Sequence, residues 1–448
     1  MRQRVVGIGF AVLLLGAAVP ARAQFSFDAR RIGMAGLNLT RGGELRRYNA
    51  AYRSVPARVG GGQAKLTIPI PLGLIQFFHD HPISKLGDDP LFNQDSAGFN
   101  PVEVANLLLN LPLFYEVKKA PTPTNDVEFT VGKDSLIVNL GRTQVLVPSG
   151  EFGFGGSSRL MDFGFGAMGF RVGVMGFLHE EVGLTLNDSL RAFLKEAHPA
   201  HATIPYGVLN EVIAEAGFAP SLSFSGRIAG DSTRGLYLGL AAHYYLGVAY
   251  GQASGSASFR PGSPIFSTTN LGLNVNDTVH YSKAGNSLGH GVGGDVGVVW
   301  ISGPLELGLG VNDIGATLTW SDVRVERETY SSATDSFVTV PIANHVQAKT
   351  KLPVSYIANV AFSVGATTVG ANLLDTGRGT TVHVGGEQRL GPLTLRSGIA
   401  RDQRKKLQFG WGGGLRFGFL SLDVGFWTHS NALSDQRAIT MATSVSIY

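Results

Sequence analysis

Leu407-Gln-Phe-Gly-Trp-Gly-Gly-Gly-Leu-Arg-Phe-Gly418 alternates large apolar residues with small or polar ones from end to end. Side chains of a strand point to opposite faces in turn. Leu407, Phe409, Trp411, Leu415 and Phe417 therefore share one face, and Gln408, Gly410, Gly412, Gly414, Arg416 and Gly418 the other. A strand with a purely apolar face lies in lipid only when its backbone is paired on both edges, which requires a closed barrel. Related alternation runs through 355–364, 367–374, 381–390, 393–400, 420–427 and 438–448. The expected fold is all-β: a transmembrane antiparallel β-barrel of about 14 strands, an even number as in single-chain bacterial barrels.

The run Leu236-Tyr-Leu-Gly-Leu-Ala-Ala-His-Tyr-Tyr-Leu-Gly-Val-Ala-Tyr250 repeats the arrangement. Leu236, Leu238, Leu240, Ala242, Leu246 and Val248 form its apolar face, with Tyr244 and Tyr250 toward one end, where aromatics suit an interfacial girdle. Tyr237, Gly239, Ala241, His243, Tyr245 and Gly247 lie opposite and suit a crowded, semipolar lumen. A soluble sandwich would need a second apolar face to cover the first. The 60 glycines are roughly twice ordinary usage. Many fall inside these strands, where glycine marks bends or close backbone approach.

The chain opens with Met1-Arg-Gln-Arg, an apolar run from Val5 to Val19, and Pro20-Ala21-Arg22-Ala23. A basic start, an apolar run and a small-x-small site form a secretory signal peptide, assigned to 1–23. Its removal takes Arg2, Arg4 and Arg22 from the 37 basic residues, leaving 34 against 33 acidic ones. That balance, without a basic arm, speaks against a nucleic-acid partner. Cysteine is absent, which excludes a disulfide framework and thiolate metal sites. No later apolar run approaches the roughly 18 residues of a transmembrane helix. Export and a barrel together place the chain in the bacterial outer membrane, with outer-membrane lipid as its surroundings.

Residues 24–62 lack strand pattern and carry Arg30, Arg31, Arg41, Arg46, Arg47 and Arg53, as expected of an N-terminal hatch or plug. The barrel occupies 63–448, its first strand at 65–78 broken by Pro69 and Pro71. Short helical inserts are expected near 100–111 and 188–216. Asn100-Pro101-Val-Glu103 carries helix-start residues, and Asp188 caps a helix to Glu196. A further helix is expected at 206–216, set apart by Pro199 and Pro205. Separate strands are expected at 170–177 and 181–186, and a polar hairpin or loop at 321–350. At the C-terminus Ser446, Ser444 and Ala442 share a face with Tyr448; Ile447, Val445, Met441 and Ile439 take the other.

Ala29-Arg-Arg-Ile-Gly-Met-Ala-Gly36 and Arg47-Tyr-Asn-Ala-Ala51 resemble the start of the FadL-like outer-membrane transport superfamily, including its PorV/TraF-like barrels. Members begin with an A-R-x-x-G-M-G-G-like segment and carry Y-N-P-A further on; here Ala35 replaces a glycine and Ala50 the proline. Leu307-Gly-Leu-Gly-Val-Asn-Asp-Ile-Gly315 resembles their strand-end N-x-G segment, and the hairpins through Val382–Glu387 and Leu420–Asp423 their closing strands. The resemblance implies an inward-folded hatch and passive uptake of small hydrophobic or amphipathic molecules, often with lateral exit through a kinked wall. For the PorV-like branch it implies a structural or secretion-associated barrel that docks exported proteins.

If apolar faces meet lipid, His383, Glu387, Arg389, Arg396, Arg416 and Asp423 project into one sector of the lumen. Charges are costly on the lipid face. Arg396 or Arg416 is then a candidate anchor for an anionic head group, since guanidinium binds carboxylate bidentately. The plainer reading pairs these charges with one another or with the hatch. The hatch candidates are Arg46, Arg47, Asn49 and Arg53; the arginines either meet Glu387 and Asp423 as plug-to-wall pairs or are simply solvated. His79-Asp80-His81 lacks further ligands at metal-binding spacing, and no G-x-S-x-G turn surrounds any serine. Neither a metal, a cofactor nor an enzymatic activity is expected.

Overall fold

The computed structural model describes residues 28–39, 41, 44–56, 66–70, 72–82, 115–116, 128–131, 136–139, 151–196, 201, 203–260, 272–282, 288–331, 336–403, 407–430 and 437–447. The expected signal peptide and the insert at 100–111 lie outside these residues. The chain begins with α1 (Ala29–Ile32), α2 (Glu44–Tyr48) and a 3-10 turn (Ala50–Arg53). There follow β1 (Leu66–Ile70), α3 (Leu72–Asp80), β2 (Tyr115–Glu116), β3 (Glu128–Val131), β4 (Leu136–Asn139), β5 (Glu151–Ala167) and β6 (Phe170–Leu186). Next come α4 (Asp188–Glu196), β7 (Tyr206–Gly230), β8 (Arg234–Phe259), β9 (Asn274–Ser282), β10 (Gly289–Ser302), β11 (Leu305–Ser331) and β12 (Ser336–Lys351). The last strands are β13 (Ser355–Val364), β14 (Thr367–Asp375), β15 (Thr380–Leu390), β16 (Leu393–Arg401), β17 (Leu407–Phe417), β18 (Leu420–Ser430) and β19 (Arg437–Ile447).

One antiparallel sheet joins 17 of these strands, and three places in it are shared by collinear pieces. β9 and β10 lie end to end between β8 and β11. β12 and β13 share the far edge of β11, and β1 and β2 share the far edge of β19. Seventeen less three gives fourteen wall places, running from β5 to β1. No ladder joins β5 to β1 among the described residues. The sheet still curls on itself. Arg159 of β5 reaches Asp295 of β10 at 2.6 Å, and Gly156 of β5 bridges Gly377 beyond β14.

The wall is inverted relative to a soluble protein. On β17, Leu407, Phe409 and Trp411 are exposed while Gln408 and Gly410 are buried; on β18, Leu422 is exposed while Ser421 and Asp423 are buried. The same inversion holds at Val382 and Val384 against Thr381 and His383 on β15. An apolar exterior over a polar interior, with the ladders carrying the backbone hydrogen bonds, is what hydrocarbon demands. The wall is also lopsided. β14 to β19 span 9 to 11 residues, the length a bilayer needs. β7, β8 and β11 run for 25, 26 and 27 residues. At ~3.3 Å per residue that is about 90 Å against about 36 Å. On β11 the exposed apolar residues stop at Ile314, and Asp322, Arg324, Glu326 and Glu328 follow. The long strands therefore rise out of the membrane as a fin.

Tight turns crowd the opposite rim. In the β7–β8 turn, Asp231 accepts from Thr233 Oγ1 (2.6 Å), Thr233 N (2.7 Å) and Arg234 N (2.8 Å). The Thr233 hydroxyl and the two amides hold its carboxyl down at about 2.

Four expectations need correction. The first strand ends at Ile70 and α3 runs from Leu72 to Asp80; the sequence sets a proline at that junction, a residue that suits a helix start. The segment 206–216 is strand. Its Leu, Glu and Ala content suits helix, but β7 is paired to β6 and β8 on both edges, and tertiary pairing overrides that weak preference. Residues 170–186 form one strand, not two. Tyr250 faces inward: a bulge sets Ala216 opposite Ala249 but Gly217 opposite Gly247, which switches parity, and Tyr250 stacks on Trp320 at 5.1 Å.

Candidate functional site

Inward glycines let backbone touch backbone, and this seats the hatch. A Cβ on Gly410 would collide with Ala35 N, one on Gly425 with Ala29 O, and one on Gly398 with Met34 O. Across the lumen, Gly239 and Gly297 give the same room to Ala51 and Asn49. α1 thus lies on β17, β18 and β19, and the 3-10 turn lies on β8 and β10. Asp28 caps α1 by accepting from Arg30 N (2.9 Å). Leu45, Tyr48, Ala51, Tyr52 and Val55 pack with Tyr237, Val299, Ile301, Ile357 and Leu374 of the wall.

Asn49 pins the centre. Its Nδ2 donates to Val298 O (3.2 Å) and Leu309 O (3.0 Å), carbonyls of two paired residues on β10 and β11, while its Oδ1 caps the turn at Ala51 N (3.0 Å).

Four ionic clusters, the third of them half-buried, tie hatch to wall. In the first, Arg30 forks onto Glu387 with Nη2 (2.6 Å) and Nε (2.9 Å); Arg396 gives Nε to Glu387 (3.3 Å) and Nη1 to Asp423 (2.6 Å). Ser421 Oγ completes Asp423 (3.2 Å). In the second, Glu306 accepts from Arg41 Nε (2.5 Å) and Tyr52 OH (2.8 Å), and Asn359 Nδ2 donates to Tyr52 OH. In the third, Arg53 donates to Asp162 (2.8 Å) and Ser223 Oγ (2.9 Å), and Arg171 shares Asp162 (2.7 Å).

The fourth sits at mid-lumen. Arg159 forks onto Asp295 (2.6 and 2.7 Å), reaches Asp313 (3.0 Å) and donates to Arg47 O (2.8 Å). His243 Nε2 adds to Asp295 (2.6 Å); Tyr245 OH (2.6 Å) and Ser157 Oγ (3.1 Å) add to Asp313. Pairing of this kind offsets the cost of burying charge.

Above the clusters the lumen is filled and lidded. Phe177, Tyr245, Tyr250, Trp320, Leu318 and Leu352 pack together, with Trp320 flat against Gly247 and Gly289. From the short side of the wall, Thr376 O accepts from Ser157 N (3.2 Å), and Gln403 Nε2 donates to Gly155 O (3.1 Å).

Of the expected site residues, Glu387, Arg396 and Asp423 are brought together, and His383 gives its Nδ1–H to Ala35 O (2.7 Å) of the hatch. Arg389 lies near the β15–β16 turn. Arg416 is exposed at the same rim, bonded to Gly418 O (3.1 Å), and is not in this cluster. The hatch pairing differs from expectation. Glu387 meets Arg30, Arg53 meets Asp162, Arg47 Nη1 meets Arg159 O (3.4 Å), and Arg46 stays within the hatch at Arg41 O (3.2 Å). The reason is the direction of the hatch chain, which lays α1 against the closing strands and carries 44–53 to the far wall. Sequence reasoning missed Arg159, Asp295, Asp313 and Glu306. Asp295 is the only acidic residue of β10, while Glu306 and Asp313 share the apolar half of β11 and Arg159 stands among small residues on β5; a charge set among apolar and small residues was the available signal.

No protein-family model matches this sequence, and no curated protein does. Among solved structures, it is similar to the Pseudomonas putida toluene transporter TodX (12% identity, TM-score 0.29, 66% of this chain and 86% of that one). It is also similar to the Ralstonia pickettii toluene transporter TbuX (8%, 0.31, 66% and 89%) and to a Pseudomonas aeruginosa FadL homologue (12%, 0.30, 66% and 88%). Likeness at this level adds nothing to the fold, which is read from the ladder pairing and the inverted wall.

Proposed function

We infer that this chain is an outer-membrane barrel for passive uptake of small hydrophobic or amphipathic molecules, with residues 28–56 as a resident hatch and no catalytic role. The observation carrying this reading is a weak place in the wall. Asp313 and Gly315 have φ of +59° and +72°, and the β10–β11 ladder shifts register between Val292 and Val296. Outside that kink lies a depression of about 410 Å³, lined by Phe170, Leu222, Phe224, Leu240, Val296 and Ile314, with Gly294 in its lining. Its apolar lining faces lipid, and the Arg159–Asp295–Asp313 cluster lies directly behind it. An apolar solute leaving the lumen there would pass into the bilayer without crossing water. On this reading Glu387, Arg396 and Asp423 clamp the hatch; an anionic head group would have to displace a carboxylate to reach Arg396.

Uptake of a labelled fatty acid and of toluene by cells with and without the barrel tests the reading. Gly294→Val, which fills the depression, is expected to lower uptake about tenfold, on the order of 1.4 kcal/mol at the barrier. Equal uptake with and without the barrel would sink transport. Unchanged uptake in the variant would sink the lateral route alone. The filled and lidded lumen favours a second reading, a structural or secretion-associated barrel that docks exported proteins. That reading expects no uptake and a co-purifying protein.

A further inference from the structure

We propose that the free edge of β12 is a docking strand for an extended peptide of another protein, one with an aliphatic half and an acidic half. Over its 16 residues β12 pairs with β11 on one side; among the described residues nothing pairs with its other edge. It stands on the fin, beyond the apolar band of the wall. Val338, Val340 and Ile342 are 39%, 48% and 49% exposed, and Ser336 to Asn344 carries no charge. Proteins ordinarily blunt such an edge with charges or cover it, because unpaired N–H and C=O groups template another strand. Here Lys349 and Lys351 guard only the lower end, and the rest carries Pro341 and the kink at His345, whose φ is +58°. The proline and the kink split the edge into two short ladders in one line, 336–340 and 346–351. Indiscriminate pairing is thereby restricted while strand addition stays open.

Chemistry and geometry choose the occupant. The upper segment offers Val338 and Val340 and takes aliphatic residues as cross-strand neighbours. The lower one presents Lys349 and Lys351, both exposed, and takes carboxylates. A second copy does not fit. Two barrels in one bilayer are related about the membrane normal, which sets like residues opposite like along the same edge, or crosses the strands steeply. A parallel ladder needs a stagger and an antiparallel one a reversed direction. A peptide from outside the membrane is free to satisfy either. The inference is independent of the transport reading.

The test uses the full-length barrel in detergent and hydrogen exchange along β12. The probe is a synthetic peptide of roughly fourteen residues, long enough at ~3.3 Å per residue to lie along β12 from Val338 to Lys351, alternating Val and Thr and ending in two Glu. Its fully N-methylated form, which cannot donate to a ladder, is the control. The expected result is fast exchange of outward β12 amides in the free barrel, slowed by the peptide and untouched by the control. Lys349→Gln with Lys351→Gln should weaken binding about tenfold, roughly 1.4 kcal/mol. Val340→Lys should abolish it while strand content stays unchanged by circular dichroism. Amides already protected without peptide, protection confined to other strands, equal protection by the control, or no protection at millimolar peptide would each overturn the proposal.

Discussion

Asp423 is fully buried, and two donors, Arg396 Nη1 and Ser421 Oγ, reach it. Removing Arg396 as Ala strands one carboxylate and leaves Glu387 with Arg30 alone. Breaking a buried pair from one side costs about 3–5 kcal/mol. The urea midpoint of Arg396→Ala in detergent should fall accordingly, and an unchanged midpoint would contradict the clamp. Glu328, on the fin, shows the opposite sign. Burial, then Asp277 and Glu326, raise its carboxyl above the ordinary range, and its cross-strand partner Asp277 is also raised, by burial. A raised folded value means the folded state holds extra protons. Stability is full below the ordinary carboxylate range and declines as pH rises through the raised one. Protection of β9 and β11 amides, taken against the intrinsic exchange rate at each pH, should therefore fall from acid to neutral pH, and Glu328→Gln should flatten that fall. Inward charges of this kind were legible from strand parity. Their partners were not, because whether Glu387 meets Arg30 or Arg53 depends on the path of the hatch.

Ladders and their alternation were legible at the scale of elements because inside and outside differ in kind. Lipid tolerates no ambiguity about which face is apolar, so Leu407 and Phe409 declare theirs. What escaped were parity changes without a composition signal, such as the bulge at Gly247–Ala249, and the strand at 206–216, where local preference and tertiary pairing disagree. The seating of α1 on β17 and β18 yields a sharp expectation. Gly410→Leu places a side chain where Ala35 N lies, so α1 must lift while the ladder stays intact. Limited proteolysis should then cut near Ala35 in the variant and spare the parent. Equal resistance would mean that the hatch is held elsewhere.

Deleting 28–56 removes the hatch core and the arginine side of three ionic clusters. Such a barrel should conduct ions in planar bilayers while the intact chain stays closed. Equal conductance would show that the aromatic packing and the lid alone occlude the lumen. The fourteen wall places and the inward hatch were within reach of the sequence. The lopsided height was not, since each strand was read to a bilayer's length and the extra residues looked like loops.

Ala29 N donates to Ser444 Oγ across 415 residues of chain, and this separation dictates timing. Short-turn hairpins such as β15–β16 close from neighbouring residues, whereas α1 has no surface until β17, β18 and β19 exist. Contacts of such range form slowly because loop closure must precede their reward. The segment that stands first among the described residues is thus the last to be housed. A chain stalled before its final hairpin would carry Arg30 and Arg41 without Glu387, Asp423 or a closed wall to receive them, and a wall that closed first would trap its own stopper outside.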